Sequence, residues 1–165
     1  MRRFDPFILT IVIISILVIA GGIFFAFKVT GKPLETYSAS DSERPQIEVD
    51  TKLRDLGQMK VSDIKSADFI IKNIGQKPLQ ITNISTSCNC TFAQIEIDGK
   101  KSPRFSMHQN PAWTGEIAPQ KEAKLIAIYE PSLMPVQGSV ERNVLFTTND
   151  PQNPNVSLKL TATVE

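Results

Sequence analysis

Cys88 and Cys90 are the only cysteines of the chain, and their spacing suggests chemistry more directly than any other feature. On a β-strand, side chains two residues apart project from the same face. Two thiols on one face suit a soft metal ion such as copper(I), or zinc. Met107 and His108, in a loop further along the chain, could add soft or borderline ligands. The sequence therefore predicts a candidate metal site made of these four residues.

The same pair of cysteines has two other interpretations, a redox-active or structural disulfide and two partly buried thiols that pack. In a regular strand, Cβ atoms two residues apart are separated by about 6.5–7 Å. A disulfide needs Cβ atoms roughly 3.5–4.5 Å apart, so a bond would require a kink at Asn89. Asn tolerates the left-handed conformation that such a kink could use. We expect no robust structural disulfide: mild reductant should free both thiols without unfolding, and copper(I) should compete with thiol reagents.

Composition excludes several other classes of function. The chain has 165 residues and a net charge of +1, with positive charges scattered among acidic ones, so no nucleic-acid partner is expected. Two cysteines are too few for a disulfide scaffold or a four-thiolate zinc site, and a single histidine excludes a site with two imidazoles. Gly-rich phosphate loops and common hydrolase motifs are absent from the sequence. We predict no catalytic residues, no bound organic cofactor and no enzymatic activity.

A long uncharged stretch lies near the N-terminus, from Phe7 to Phe27, with the sequence FILTIVIISILVIAGGIFFAF. As a helix it would be about 31 Å long, which matches the hydrocarbon core of a bilayer. Its apolar run continues past the point where a cleaved leader would become polar, so it predicts an uncleaved transmembrane signal anchor. Arg2 and Arg3, in the n-region 1–6, favour a cytoplasmic N-terminus. The prediction is a single-pass protein of the cell membrane with its C-terminal domain outside the cytoplasm.

The remainder divides into a polar tether, residues 28–44, and a β-domain, residues 45–165. The tether has no apolar periodicity, whereas the domain alternates apolar and polar residues with period two. The predicted inward faces are Ile47 and Val49; Ala67, Phe69 and Ile71; Leu79 and Ile81; Ala123, Leu125, Ala127 and Tyr129; Val144 and Phe146; and Val156, Leu158, Leu160, Ala162 and Val164. Turn residues separate about seven such strands, which is typical of an immunoglobulin-like antiparallel β-sandwich.

One stretch of the domain, residues 98–119, interrupts this pattern. It is long and rich in proline, and loops of this length in a compact sandwich are usually functional or disordered. Its apolar side chains Phe105, Met107 and Trp113 could fix it to the sheet. We therefore expect an ordered loop.

A series of short motifs resembles a bacterial Ig-like family called domain of unknown function 1573. The motifs occur in the family's order: DLG at 55–57, KNIG at 72–75, KPLQI at 77–81, SCNCT at 87–91, YEP at 129–131 and TNDP at 148–151. Asn89 replaces the glycine that is usual between the two cysteines. The resemblance implies a sandwich similar to the PapD-like and major-sperm-protein-like folds, and no particular activity.

The functional prediction is a membrane-anchored extracytoplasmic Ig-like domain that acts as a non-enzymatic protein-binding or structural module. PapD-like sandwiches commonly present sheet edges and faces to other proteins, so a protein partner is expected. The alternative is a metal-handling (copper or zinc) or thiol-redox protein centred on Cys88 and Cys90.

Overall fold

The computed structural model describes residues 6–29 and 33–165 and divides the chain into two compact units, Met1–Gly31 and Lys32–Glu165. The predicted n-region with Arg2 and Arg3 lies outside the described residues. In the first unit, helix α1 spans Pro6–Val29. The side chains described in α1 are those of Phe7 and residues 10–22, and all of them are exposed.

Helix α1 contains the stretch from Phe7 to Phe27 that was predicted to be a transmembrane anchor. Its one described serine, Ser15, donates its hydroxyl hydrogen to the carbonyl of Ile11, at 2.9 Å. Such a bond within the helix satisfies the hydroxyl. Over the described part of the chain, no helix combines the length and the apolar character needed to cross a membrane. The transmembrane anchor stays a prediction.

The second unit is a β-sandwich, and its described residues form ten strands in two five-stranded sheets. The strands are β1 (Ile47–Val49), β2 (Leu53–Met59), β3 (Lys65–Asn73), β4 (Leu79–Thr86), β5 (Thr91–Ile97), β6 (Lys100–Lys101), β7 (Thr114–Ile117), β8 (Glu122–Tyr129), β9 (Gly138–Thr148) and β10 (Asn155–Val164). The first sheet has the order β1-β3-β8-β5-β6, and the second has the order β2-β10-β9-β4-β7. The predicted mostly-β sandwich is confirmed.

Two finer expectations about the sandwich are wrong. The strand number is ten rather than about seven, because β6 and β7 are only two and four residues long and β2 is largely polar and exposed. Such strands carry no alternating apolar signal. The sandwich is also not wholly antiparallel, since β2 pairs with β10 in parallel.

The predicted inward faces of the longest strands are confirmed. Strand β10 alternates strictly over its length, with its five apolar residues buried: Val156, Leu158, Leu160, Ala162 and Val164. The same holds for β8, whose buried residues are Ala123, Leu125, Ala127 and Tyr129. Half-buried strands bury every second side chain, and here the two sheets bury them against each other.

One end of the sandwich, called the N-proximal end here, carries the connections 74–78, 118–121 and 149–154. Asn73 organises it, since its amide nitrogen donates to the carbonyls of Lys77 (2.8 Å) and Ile117 (2.9 Å), and its oxygen accepts from the amide of Gly75 (3.0 Å). A Cβ on Gly75 would lie 2.3 Å from the carbonyl oxygen of Arg44. The KNIG motif is therefore explained by hydrogen bonding and a close backbone approach rather than by ligand binding.

The segment before Pro45 contacts this N-proximal end, although it was predicted to be a flexible tether. The amide of Glu35 donates to the side-chain oxygen of Gln80, at 2.7 Å. The guanidinium of Arg44, which is 9% exposed, pairs with the buried carboxylate of Asp150, at 3.2 Å. The described part of the segment is thus held to the domain at both of these points.

The opposite end of the sandwich, called the disulfide end here, carries the turn 87–90 between β4 and β5 and the loop 130–137 between β8 and β9. Strands β4 and β8 run toward it, and β5 and β9 run away from it. Strand β8 runs from one end to the other and has eight residues, so the two ends are separated by about 26 Å.

Candidate functional site

The two cysteines lie in a turn, not on a strand. Strand β4 ends at Thr86 and β5 begins at Thr91, so Cys88 and Cys90 connect the second sheet to the first. They form a disulfide, with Cα atoms 5.3 Å apart. The expectation of two thiols on one strand face is therefore wrong, because the chain reverses direction at this point. The bond closes without a left-handed residue at Asn89, since Asn89 has no positive φ.

Several hydrogen bonds hold the turn independently of the disulfide. The hydroxyl of Thr86 lies 2.9 Å from the carbonyl oxygen of Cys88 and 2.9 Å from that of Thr91. It donates its hydrogen to these two acceptors. The amide of Ser87 donates to the carbonyl of Asn143 on β9, at 2.9 Å, and the amide of Asn143 donates to the Ser87 hydroxyl, also at 2.9 Å. The turn is thus closed by its own hydrogen bonds and fastened to β9.

The two sulfurs have different surroundings. Cys88 Sγ accepts the amide hydrogen of Cys90, at 3.1 Å, and lies 3.3 Å from the hydroxyl of Thr91. Cys90 Sγ accepts a hydrogen bond from Nε of Arg142, at 3.3 Å. Cys88 is 8% exposed and Cys90 is fully buried. A cation therefore contacts the sulfur of the fully buried residue, whereas Cys88 is the less deeply buried residue of the two.

Arg142 was not singled out in the sequence, although its position carried a signal. It lies on β9 between Val140 and Val144, at a position that alternation directs toward the core. Its guanidinium carbon lies 5.4 Å from the centre of the Tyr129 ring, and its Nη1 donates to the carbonyl of Glu141, at 2.9 Å. A charged residue at an inward position of an alternating strand usually has a specific partner inside.

A second arginine also lies at the disulfide end. The guanidinium of Arg104 forms an ion pair with Glu130 and lies 3.6 Å from the centre of the Phe92 ring. The amide of Glu130 donates to the carbonyl of Cys90, at 2.8 Å. Arg104 thus stabilises the start of the loop 130–137 and does not contact either sulfur.

Met107 and His108, the other predicted metal ligands, are both exposed, and Met107 is 44% exposed. The described residues contain no group of three or more His, Cys, Asp or Glu side chains placed to hold a metal ion. Since the sulfurs are bonded to each other, they are not thiolates in this structure. Binding of copper or zinc by the reduced pair, with Met107 and His108, stays a prediction.

The long connection from 98 to 119 is ordered, as expected, and it contains β6 and β7. Phe105 is buried, and its backbone forms an antiparallel β-bridge with Ala93. Its ring packs on the ring of Trp113, with centroids 5.7 Å apart. The expected contribution of Met107 to this anchoring is wrong, because its side chain is largely in solvent.

The loop 130–137 exposes large apolar side chains, Leu133, Met134 and Val136, which are called the apolar loop here. Their exposed fractions are 53%, 47% and 38%. The loop contains a short 3-10 turn (Pro131–Leu133), in which Pro131 is buried. The amide of Met134 donates to the carbonyl of Pro131, at 3.0 Å, so the backbone of the loop is held by hydrogen bonding.

Comparison with known families decides the classification of the domain. The model of the HYDIN/CFA65/VesB-like Ig-like domain matches residues 45–163. The chain belongs to this family. The match supports the predicted Ig-like sandwich, but it does not single out the bacterial family named above. No curated protein matches the chain.

Solved structures are similar to the Ig-like domain at low sequence identity. A protein of unknown function from Porphyromonas gingivalis W83 has a TM-score of 0.56 and 21% identity, over 74% of this chain and 48% of that one. The chain thus spans about half the length of that protein, and the likeness shows the fold alone. The ASH / PapD-like domain of human CEP192 has a TM-score of 0.48 and 10% identity, over 79% of this chain and 98% of that domain.

Proposed function

We propose that the protein is a membrane-anchored, extracytoplasmic Ig-like module, of the kind found in the bacterial family of unknown function that it resembles. We further propose that it binds another protein, without enzymatic turnover of its own, through the disulfide end. The observation that carries the proposal is the apolar loop, in which Leu133, Met134 and Val136 are exposed within four residues. Exposed apolar side chains that cluster on one loop are typical of interaction sites.

The order of this loop strengthens the proposal. Its 3-10 turn is closed by backbone hydrogen bonds from Leu133 to Glu130 (3.2 Å) and from Met134 to Pro131 (3.0 Å). Glu130 is in turn paired with Arg104. A loop that is already ordered loses less conformational entropy when it binds, and more of the apolar contact contributes to affinity.

The membrane anchor is proposed from the first unit of the chain. The stretch from Phe7 to Phe27 has no charged residue, and as a helix it would be about 31 Å long, close to the thickness of a bilayer core. The basic residues at its N-terminal side favour a cytoplasmic N-terminus. Within the second unit, the segment before Pro45 contacts the N-proximal end, and the apolar loop lies at the opposite end.

Topology gives the first prediction. Protease added to intact spheroplasts should remove residues 36–165, because an N-terminus held inside by Arg2 and Arg3 leaves the domain outside. The fate of the domain is followed with an antibody, and a cytoplasmic protein serves as the control for intact membranes. Protection of the domain until the membrane is lysed would contradict the proposed anchor and localisation.

The binding proposal predicts a position-specific contact. A photo-crosslinking amino acid replaces Met134 in the full-length protein in native membranes, and Gln152 at the N-proximal end is replaced as the control. We expect a discrete protein adduct from position 134 and none from position 152, because only the former belongs to the apolar loop. The adduct is detected by mass shift and identified by mass spectrometry.

A matched pair of substitutions tests whether the contact depends on the apolar loop. Leu133→Ser should reduce the adduct from position 134 at least several-fold. Leu145→Ser, which changes a similarly exposed leucine (42%) on the outer face of β9, should leave it unchanged. Equal effects of the two substitutions, or adducts with lipid alone, would refute the proposed binding surface.

A further inference from the structure

The disulfide Cys88–Cys90 contributes little to holding the fold together. Its cysteines are two positions apart, and stabilisation by a cross-link grows with the length of the loop that it closes. The turn is already fastened by the hydroxyl of Thr86 and by the paired bonds between Ser87 and Asn143. The same hydrogen bonds would hold the turn after reduction, so the bond can open without loss of the fold.

The two cysteines lie in different surroundings, and in thiol–disulfide exchange such a difference decides which sulfur is attacked. Exchange proceeds by attack of a thiolate on one sulfur while the other leaves as a thiolate. Cys88 retains 8% exposure between the exposed residues Ser87 and Asn89, whereas Cys90 is fully buried. The guanidinium of Arg142 donates to Cys90 Sγ, at 3.3 Å, and a cation beside a sulfur stabilises its thiolate.

We propose that the Cys88–Cys90 pair is a thiol–disulfide exchange site that oxidises a dithiol, with Cys88 as the attacked sulfur and Arg142 stabilising the departing Cys90 thiolate. This proposal goes beyond the binding function and does not depend on it. A thiolate of the dithiol attacks Cys88 Sγ, the bond to Cys90 breaks, and its electron pair goes to Cys90 Sγ. The second thiol, after losing its proton, attacks its partner sulfur and releases the Cys88 thiolate. Two electrons thus pass from the dithiol to the cysteine pair, and the two protons that the dithiol loses to water are balanced when the two cysteine thiolates take up protons from water.

Two carboxylates on the strands β8 and β9 or directly after them are paired with cations. At the end of β8, the carboxylate of Glu130 is paired with Arg104. On β9, the carboxylate of Glu141 is paired with the ammonium of Lys159, at 2.9 Å. Within the described part of the chain, Arg142 pairs with no carboxylate, and its other contacts are the Glu141 carbonyl and the Tyr129 ring. Its charge is therefore available to the sulfur.

The first test measures how fast dithiothreitol, as the probe dithiol, reduces the purified full-length protein. Arg142→Met should slow reduction about tenfold, because the leaving thiolate loses its cation. Arg142→Lys keeps the charge and should recover part of the rate. Arg104→Met is the matched control, since Arg104 contacts neither sulfur, and it should react at the wild-type rate. Thiols released are counted by alkylation and mass spectrometry.

A second measurement separates a direct electrostatic role of Arg142 from a structural one. In the reduced protein, the rate of alkylation of Cys90 is followed against pH. Arg142→Met should move the midpoint of this profile upward by roughly one pH unit, whereas a purely structural role would change the rate without moving the midpoint.

Single-cysteine variants identify the attacked sulfur. Cys90→Ser leaves Cys88 free and should form a mixed disulfide with an aromatic disulfide reagent at least ten times faster than Cys88→Ser, whose remaining thiol is buried. If neither variant folds, the proposal is tested by comparing the rates at which dithiothreitol reduces Arg142→Met and Arg104→Met. Equal reduction rates for those two variants, faster reaction of Cys88→Ser, or loss of β-structure when the wild-type bond is reduced would each overturn the proposal.

Discussion

Replacing Asp150 by alanine is expected to lower the free energy of unfolding by about 3–5 kcal/mol, because removal of one partner leaves a buried charge uncompensated. Asp150 is 1% exposed, and its carboxylate accepts from Arg44 at 3.2 Å. It also accepts from the amides of Ile47 (3.1 Å) and Gln152 (3.0 Å) and from the side chain of Asn153 (2.9 Å). The substitution therefore leaves one buried guanidinium and several polar groups without their acceptor.

The measurement is urea unfolding of a soluble fragment, residues 33–165, which retains Arg44. Asp68→Ala is the control, because Asp68 forms an exposed ion pair with Lys124, at 3.8 Å. Such surface pairs contribute about 0–1 kcal/mol. If the two substitutions had the same cost, the role assigned to Asp150 in the N-proximal end would be refuted.

Leu160→Ala is expected to cost about 2–5 kcal/mol, through lost burial and the cavity that remains. Leu160 is 2% exposed on β10, which lies between β2 and β9 in the second sheet. Neighbours on both sides hold the backbone in place, so the core has little freedom to fill the space.

Thr161→Ala is the matched control on the same strand. Thr161 is half-buried on the outer face, and its hydroxyl donates to the carboxylate of Asp55, at 3.0 Å. An exposed hydrogen bond of this kind contributes roughly 0.5–1.5 kcal/mol. Both variants are compared by urea and thermal unfolding of the fragment 33–165. Equal costs would contradict the assignment of Leu160 to the inner face and Thr161 to the outer face of β10.

The inward faces of the long strands were predictable from the sequence because they depend on a local pattern. Leu158 and Leu160 alternate with Ser157 and Lys159, and the period of two places each set on one face wherever the strand lies. The order of the connection around Phe105 was also predictable from the sequence, because a large apolar side chain in a polar loop tends to be buried against the domain.

Strand pairing was not predictable in the same way. The parallel contact of β2 with β10 joins Arg54 to Leu160, more than one hundred positions apart, and β2 has no apolar face that would indicate its neighbour. Strands β6 and β7 are shorter than the window in which a period can be recognised. Their existence depends on hydrogen bonds to a partner strand rather than on their own residues.

The state of the cysteine pair shows the same division. The sequence alone established that Cys88 and Cys90 are two positions apart and are the only cysteines of the chain. Whether they are two thiols on one face or a bonded pair depends on where β4 ends and β5 begins, which is decided by the crossing from one sheet to the other. Only the tertiary structure brings Arg142, fifty-two positions after Cys90, against the buried sulfur. Side-chain direction along a strand is a local property, but the partner that a side chain meets is set by the packing of distant strands.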